Sequence, residues 1–294
     1  MNTYHIPVLL DEVVAGLNIQ AGKKYIDATV GGAGHAWEIV KRGGIVLGID
    51  TDQEAVTFAN EKLKRESGTK QSVGMWKVIQ GNFRDIERIA TGEGFKLVDG
   101  ILFDLGVSSH QLDEGSRGFS YRFTGAPLDL RLNQGSGEDA KNVLKRSNEE
   151  ELYEIFAKFG EEERARAIAH AIVRARSVTP IETIDDLIGC ISTVVPLENE
   201  RNGVLSRILQ ALRIVVNDEL SALREGLEGA NNVLAPGGRL VVMSFHSLED
   251  RIVKQYMAGG NWRLIRKKPI IAGREEIYRN RRSRSAKLRI AVKI

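Results

Sequence analysis

Over the first third of the chain, short apolar runs that end in turn residues alternate with amphipathic stretches. The runs Lys24 to Asp27, Ile45 to Ile49, Trp76 to Gln80 and Gly100 to Phe103 read as strands. They end at a glycine cluster, at Asp50, at Gly81-Asn82 and at Asp104-Leu105-Gly106. Between them, Gln53 to Lys64 sets Ala55, Phe58, Ala59 and Leu63 on one side of a helix. Such alternation predicts a parallel sheet with right-handed crossovers.

From about His110 to Gly203 the pattern changes to a loop and several helices. Leu152, Ile155, Phe156 and Phe159 share one helical face, as do Ala165, Ile168, Ala169, Ile172 and Val173, and Ser147 with Glu150 has the form of a capping box. A long helix is then expected from about Leu205 to Gly226, with Ile208, Leu212, Val215, Leu220 and Leu223 at core spacing. Ala235-Pro236-Gly237-Gly238 leads into a strand from Arg239 to Ser244, and Trp262 to Arg266 and Leu288 to Val292 supply the last two strands. The expected organisation is an α/β domain of residues 1–107 and 205–294, interrupted after its fourth strand by a helical domain of residues 108–204.

A hydrophobic content of 42% with 28% charged residues belongs to a soluble globular chain. The single cysteine, Cys190, excludes an intramolecular disulfide and fits a reducing compartment, and nothing points to a metal site. His5, Asp11 and Glu12 stand where a secretory signal needs a basic start and an apolar run, and no stretch approaches the roughly 18 apolar residues of a membrane span. A cytoplasmic protein that does not enter membranes is expected. The net charge of +3 identifies no partner, but Arg279, Arg281, Arg282, Arg284, Lys287 and Arg289 form a basic run free of acids. Such a run suits RNA phosphates or a solvated strand edge.

The segment Asp27-Ala28-Thr29-Val30-Gly31-Gly32-Ala33-Gly34-His35 is the candidate cofactor turn, since glycine lets backbone approach a ligand closely. A dinucleotide fingerprint starting at Gly32 and Gly34 would need a third glycine where Trp37 stands, and the Walker lysine pattern is absent. Asp50, at the end of the second strand, can accept hydrogen bonds from both hydroxyls of a ribose. This suits S-adenosylmethionine, with Phe83 against the adenine and Asp104 beside the sulfonium. A nicotinamide-dependent oxidoreductase remains the competing reading.

Several longer motifs then carry a family resemblance. His5-Ile6-Pro7-Val8-Leu9-Leu10-Asp11-Glu12, Asp104-Leu105-Gly106-Val107-Ser108-Ser109-His110-Gln111-Leu112-Asp113, Arg117-Gly118-Phe119-Ser120, Pro127-Leu128-Asp129-Leu130-Arg131, Phe159-Gly160-Glu161, Gln210-Ala211-Leu212-Arg213 and Ser244-Phe245-His246-Ser247-Leu248-Glu249-Asp250-Arg251 closely resemble the bacterial 16S ribosomal RNA cytosine-N4 methyltransferases of the RsmH (MraW) family. The resemblance covers nearly the whole chain. It implies a class I Rossmann-like methyltransferase sheet with an inserted helical domain, S-adenosylmethionine as methyl donor, and methylation of a cytidine in the decoding region of small-subunit RNA. By position, it implies cofactor contacts from Ala33, Gly34, His35, Asp50, Phe83, Asp104 and Gln111. The chain departs from the family pattern at Ala33 for glycine, His110 for proline and Asn133 for aspartate.

Methyl transfer from a sulfonium is a direct displacement governed by alignment and electrostatics. The cytosine N4 lone pair is delocalised into the ring, so a hydrogen-bond acceptor on one N–H would help localise it. Asp104 is the first candidate, with Ser108 and Ser109 positioning the base. His246 is either a proton acceptor after transfer or a histidine hydrogen-bonded in place. The base must be turned out or unpaired, with the helical insertion as the wall of its pocket. Arg164, Arg166, Arg174, Arg176, Arg207 and Arg213 are candidate backbone contacts or ordinary surface pairs with neighbouring glutamates. A ribosome assembly factor with a relic pocket is a further alternative, and a homodimer is compatible with the sequence.

Overall fold

Seven strands, β1 (Lys24–Asp27), β2 (Ile45–Asp50), β3 (Trp76–Gln80), β4 (Val98–Asp104), β5 (Leu234–Ser244), β6 (Trp262–Leu264) and β7 (Lys287–Lys293), form one sheet in the order β3-β2-β1-β4-β5-β7-β6. The computed structural model describes residues 7–68 and 74–294, apart from the side chains of Ser109 and His110. His5 and Ile6 of the opening motif therefore lie outside the described residues. Strands β1 to β5 run parallel, and β7 runs antiparallel to β5 and to β6. The sheet is mixed rather than wholly parallel. Its strand order reverses between β1 and β4, and open sheets of this kind bind ligands at the carboxyl ends beside such a reversal.

Strand side chains alternate between two cores. Ile26, Leu47, Ile49, Ile101, Phe103, Leu240 and Val242 pack on one face with the helices Ile86–Gly92 and Ser247–Met257, and with Leu223, Leu227 and Ala230. Tyr25, Val46, Leu102, Val241 and Met243 pack on the other with the helices Leu10–Leu17, Gly34–Lys41 and Gln53–Ser67. Burial on both faces explains why these strands read as nearly continuous apolar runs. Each fully buried leucine, isoleucine or phenylalanine contributes about 1.5–3 kcal/mol of transfer free energy, so the ends of the central strands are rigidly placed.

The chain divides into two compact units, one running up to Ser108 and resuming at Leu220, the other Ser109–Glu219. The second boundary falls at Leu220 rather than at residue 205, because the expected long helix is two helices, Glu198–Asn217 and Glu219–Val233. Asp218 between them takes the left-handed conformation, φ 48°. Asn217 explains the break. Its amide donates to the carbonyls of Arg213 and Leu130 and accepts the Leu132 N–H at 2.7 Å, which pins the end of the helix to the 130–132 loop. The second unit is built from helices, the longest being Glu149–Gly160, Ala165–Arg176 and Glu198–Asn217.

The capping box at the start of Glu149–Gly160 is formed by Asn148 and Glu151, not by Ser147 and Glu150. Ser147 instead ends the preceding helix, Ala140–Arg146. Arg117 is almost fully buried in this unit and donates to the carbonyls of Arg131 and Leu132 at 2.8 and 2.7 Å. Gly118 beside it has φ +75°, and a Cβ there would come within 2.2 Å of the Pro127 carbonyl. Asp129 and Arg131 form a two-bonded ion pair that holds the Asp129 carboxyl below the usual range. The motif residues Arg117-Gly118 and Asp129-Leu130-Arg131 thus build the loop that Asn217 clamps.

Candidate cofactor and active site

The turn after β1 is fastened to the end of β2 by Asp50. Its carboxylate accepts the Gly31 N–H at 2.8 Å on one oxygen and the Asp52 N–H at 2.9 Å on the other. A carboxylate offers about four acceptor positions, so acceptor capacity remains for a ligand hydroxyl. Gly31 has φ +45°, and a Cβ placed on it would find only the Thr29 carbonyl within 4 Å, at 3.8 Å. A ligand can therefore approach this backbone closely.

Ala33 caps the helix Gly34–Lys41 in the left-handed conformation, φ 53°, with its methyl fully buried. This geometry accounts for glycine at the position elsewhere in the family pattern. The Ala33 N–H already donates to the Val30 carbonyl at 2.7 Å. Ala33 thereby shapes the turn that leads into the helix.

Asp27 and Asp104 end β1 and β4 on the two sides of the strand-order reversal, and Thr29 links them. Its N–H donates to Asp27 Oδ1 at 3.3 Å, and its hydroxyl oxygen accepts the Asp104 N–H at 2.7 Å. Burial pushes the Asp27 carboxyl up to about 7, helped by the charge of Asp50. Burial likewise pushes Asp50 up to about 6 and Asp104 up to about 8, the latter despite the nearby Arg282 guanidinium. His35 is buried, and its Nε2 lies 3.1 Å from the Val8 carbonyl, so Nε2 carries the proton. Its Nδ1 then faces Asp104 Oδ2 at 3.5 Å as an acceptor. Burial lowers the His35 pKa to about 4 and keeps the ring neutral.

Phe83 stands half-buried after β3, edge-on to Phe103 with ring centroids 5.6 Å apart, and closes against Gly226, where a Cβ would come within 2.9 Å of its ring. Ser108 is partly exposed in the loop that follows Asp104. Gln111 lies in the short helix Ser109–Asp113, buried, within the helical unit. The Ser109 side chain lies outside the described part.

His246 is the N-cap of the helix Ser247–Met257. Its Nδ1 accepts the Glu249 N–H at 3.4 Å, while the Glu249 carboxylate returns the bond by accepting the His246 N–H at 3.4 Å and also accepts the Phe245 N–H at 2.8 Å. Nε2 lies 3.1 Å from Glu249 Oε1, an ion-pair distance with an alignment too poor for a hydrogen bond. Of the two roles open to His246, helix capping engages Nδ1 and leaves Nε2 without a hydrogen bond.

The basic residues are redistributed. Arg289 and Lys287 pair with Asp250, the arginine at 2.7 and 3.2 Å, and so hold β7 to the helix Ser247–Met257. Arg282 donates to the Val107 carbonyl beside the active site. In the helical unit Arg164 pairs with Glu200, Arg166 with Glu150, Arg207 with Glu162 and Arg213 with Glu219. Arg176 donates to the Leu144 carbonyl. Most of these side chains therefore hold the protein together. Asp27 and Thr29 belong to the candidate cofactor turn and Arg282 to the basic run, but nothing in the sequence assigned any of them its contact around Asp104; the signal available for Asp27 was that β1, β2 and β4 each end on an aspartate.

Reversal of β7 in a sheet otherwise parallel around the cofactor turn separates this architecture from the wholly parallel dinucleotide-binding sheet and puts the chain among the Rossmann-like methyltransferases. Its family is equally definite. The chain belongs to the MraW methylase family, which it matches over residues 2–294. It is 46% identical over 287 residues to the ribosomal RNA small subunit methyltransferase H of Deinococcus radiodurans, covering 97% of this chain and 88% of the relative. The enzyme of that name from Phocaeicola vulgatus is 43% identical over 306 residues, covering 99% and 97%. Among the described residues no helix is long and apolar enough to cross a membrane.

Proposed function

We propose that this chain transfers a methyl group from S-adenosylmethionine to the exocyclic N4 amine of a cytidine in the 16S rRNA of the small ribosomal subunit, in the cytoplasm. One observation carries the choice of cofactor: the buried carboxyls of Asp27, Asp50 and Asp104, pushed up to about 7, 6 and 8, crowd one end of the sheet. Carboxyls that ionise more readily when a cation arrives favour a cationic sulfonium and oppose a dinucleotide's pyrophosphate. The name carried by the relatives, ribosomal RNA small subunit methyltransferase H, supports the substrate class.

When bound, S-adenosylmethionine supplies a methyl group on a sulfonium that a nitrogen nucleophile can displace directly. Asp50, with acceptor capacity left on its carboxylate, would bind the ribose hydroxyls. The half-buried Phe83 ring offers adenine an apolar contact. Asp104 would release its proton to solvent as positive charge arrives beside it. Its carboxylate would then accept an N–H of the target amine, localise the nitrogen lone pair, and take the proton that the amine loses once the methyl–sulfur bond breaks and S-adenosylhomocysteine leaves. The neutral His35 ring lies against the Asp104 carboxyl on its protein side, Nδ1 to Oδ2 at 3.5 Å. Ser108, four residues further along the chain, positions the base, which is turned out of the RNA stack to reach the site. The helical unit, with Gln111, serves substrate recognition.

The test is to incubate small subunits lacking the modification with the purified chain and methyl-labelled S-adenosylmethionine, then digest the RNA to nucleosides for mass spectrometry. N4-methylcytidine is the expected product. Another methylated nucleoside would overturn the assignment, and subunit binding without transfer would favour an assembly factor.

A further inference from the structure

The segment that leaves β6 and returns to β7 has a surface that the methyl-transfer reading does not use. Ile265 to Lys268 is exposed, as is most of the helix Arg274–Arg279, and Tyr278 on that helix is 90% exposed. Arg281 and Arg284 follow in a short 3-10 turn with both side chains in solvent. Among the described residues none of Arg274, Arg281 and Arg284 is in an ion pair. The acids in between are engaged: Glu275 pairs with Arg279 at 2.6 Å, and Glu276 accepts the Leu9 N–H at 2.7 Å.

This surface is anchored along its length. Ile270 and Leu288 exchange backbone hydrogen bonds at 2.8 and 2.9 Å, Ala272 is buried, Ile277 packs on the core, and Ser283 has no exposure. Arg282 fixes its position relative to the chemistry, since its guanidinium donates to the carbonyl of Val107 and lowers the pKa of Asp104 by its charge. The exposed tyrosine and the unpaired arginines therefore stand on a fixed rim next to the carboxyl end of β4.

We propose that this rim is a track for single-stranded RNA flanking the target nucleotide, with Tyr278 as a platform for one nucleobase and Arg281 and Arg284 on its phosphates. The proposal rests on the RNA-methylation reading and adds the surface that holds the substrate. Aromatic faces interleaved with cations bind unpaired strands through stacking and phosphate contacts, because every base has a π-face and every linkage a charge. A base turned out towards Asp104 leaves its neighbours unstacked, and a fixed tyrosine beside the site replaces a lost stacking partner.

Binding of a fluorescent single-stranded RNA oligonucleotide to the full-length protein, titrated with salt, tests this, with S-adenosylmethionine affinity measured calorimetrically on each variant as a check of folding. Tyr278→Ala is expected to weaken RNA binding about tenfold, and Tyr278→Trp to restore it. Arg281→Glu with Arg284→Glu should weaken binding at low salt and flatten its salt dependence. Cofactor affinity should stay unchanged in all three. If Tyr278→Ala binds RNA as the parent does while the parent methylates small subunits, the track is wrong and the enzymatic reading stands. A tryptophan variant as weak as alanine would overturn stacking. A parent that neither binds RNA nor methylates subunits would remove the function and the track together.

Discussion

Asp104 Oδ2 and His35 Nδ1 face each other at 3.5 Å. The Val8 carbonyl holds the proton of the ring on Nε2, and burial keeps the ring neutral with a pKa lowered to about 4. Burial pushes the Asp104 pKa up to about 8, so this carboxyl is largely protonated at neutral pH. Such a carboxyl ionises more readily when a cation binds beside it.

This arrangement predicts a pH-dependent discrimination between cofactor and product. S-adenosylmethionine carries a charge that S-adenosylhomocysteine lacks, so its relative affinity should rise as pH goes from about 6 to 9 and Asp104 gives up its proton. Calorimetry in buffers of different ionisation enthalpy should show proton release for the charged ligand at pH 7 and little for the neutral one. The stability of the ligand-free protein runs the other way. All three aspartates have raised folded-state pKa values, so their contribution is complete below the ordinary carboxylate pKa, about 4, and is lost as pH rises through about 6, 7 and 8. Urea midpoints should fall across that window for these groups, and ones that rose would contradict the assignment.

Asp50→Asn should separate binding from chemistry. An amide presents its NH2 to one of the backbone N–H groups of Gly31 and Asp52 and loses the charge that a ribose hydroxyl bonds to. The KM for S-adenosylmethionine should rise about 10- to 100-fold, in line with hydrogen bonds to charged groups of about 1.5–3 kcal/mol. At saturating cofactor kcat should stay near the parent value. A fall in kcat alone would place Asp50 elsewhere in the reaction.

Ala33 predicts an asymmetry between two substitutions. Ala33→Gly relieves a left-handed alanine, roughly 1 kcal/mol, but gives up a buried methyl and adds unfolded-state freedom of similar size. Its stability should lie within about 1 kcal/mol of the parent. Ala33→Val puts a β-branched side chain at φ 53° and should lose more than about 2 kcal/mol. Urea unfolding of both variants decides the matter, and equal losses would contradict the geometry.

Arg117→Met leaves the carbonyls of Arg131 and Leu132 without their donor in a buried place. A loss of about 3 kcal/mol is expected, with hydrogen exchange accelerated first in the 117–132 loop. Unchanged protection there would mean that the loop is held by Asn217 alone.

The strands were legible because apolar runs ending on acids or glycine are a local signal, and Asp50 and Asp104 fell where strand ends had to be. The break at Asp218 was not legible. Apolar spacing continues across it from Val215 to Leu220, and the cause is the bond from Asn217 to a loop distant in sequence. The basic run from Arg279 to Arg289 showed charge without partners, and Asp250, which takes two of those cations, lies on a helix between β5 and β6. His246 looked like a catalytic histidine for a related reason: its capping role depends on Glu249 folding back onto the chain just before it. Burial, which sets the charge state of Asp27 and Asp104, is a property of the packed sheet and left no mark in composition.

The central claim is that Asp104 engages the amine during transfer. Single-turnover methylation of small subunits with cofactor saturating, comparing the parent with Asp104→Ala and following N4-methylcytidine by mass spectrometry, tests it most directly. A rate lower by about 100-fold or more is predicted, the scale of a lost polar partner in the transition state, and a rate within a few-fold of the parent would contradict it.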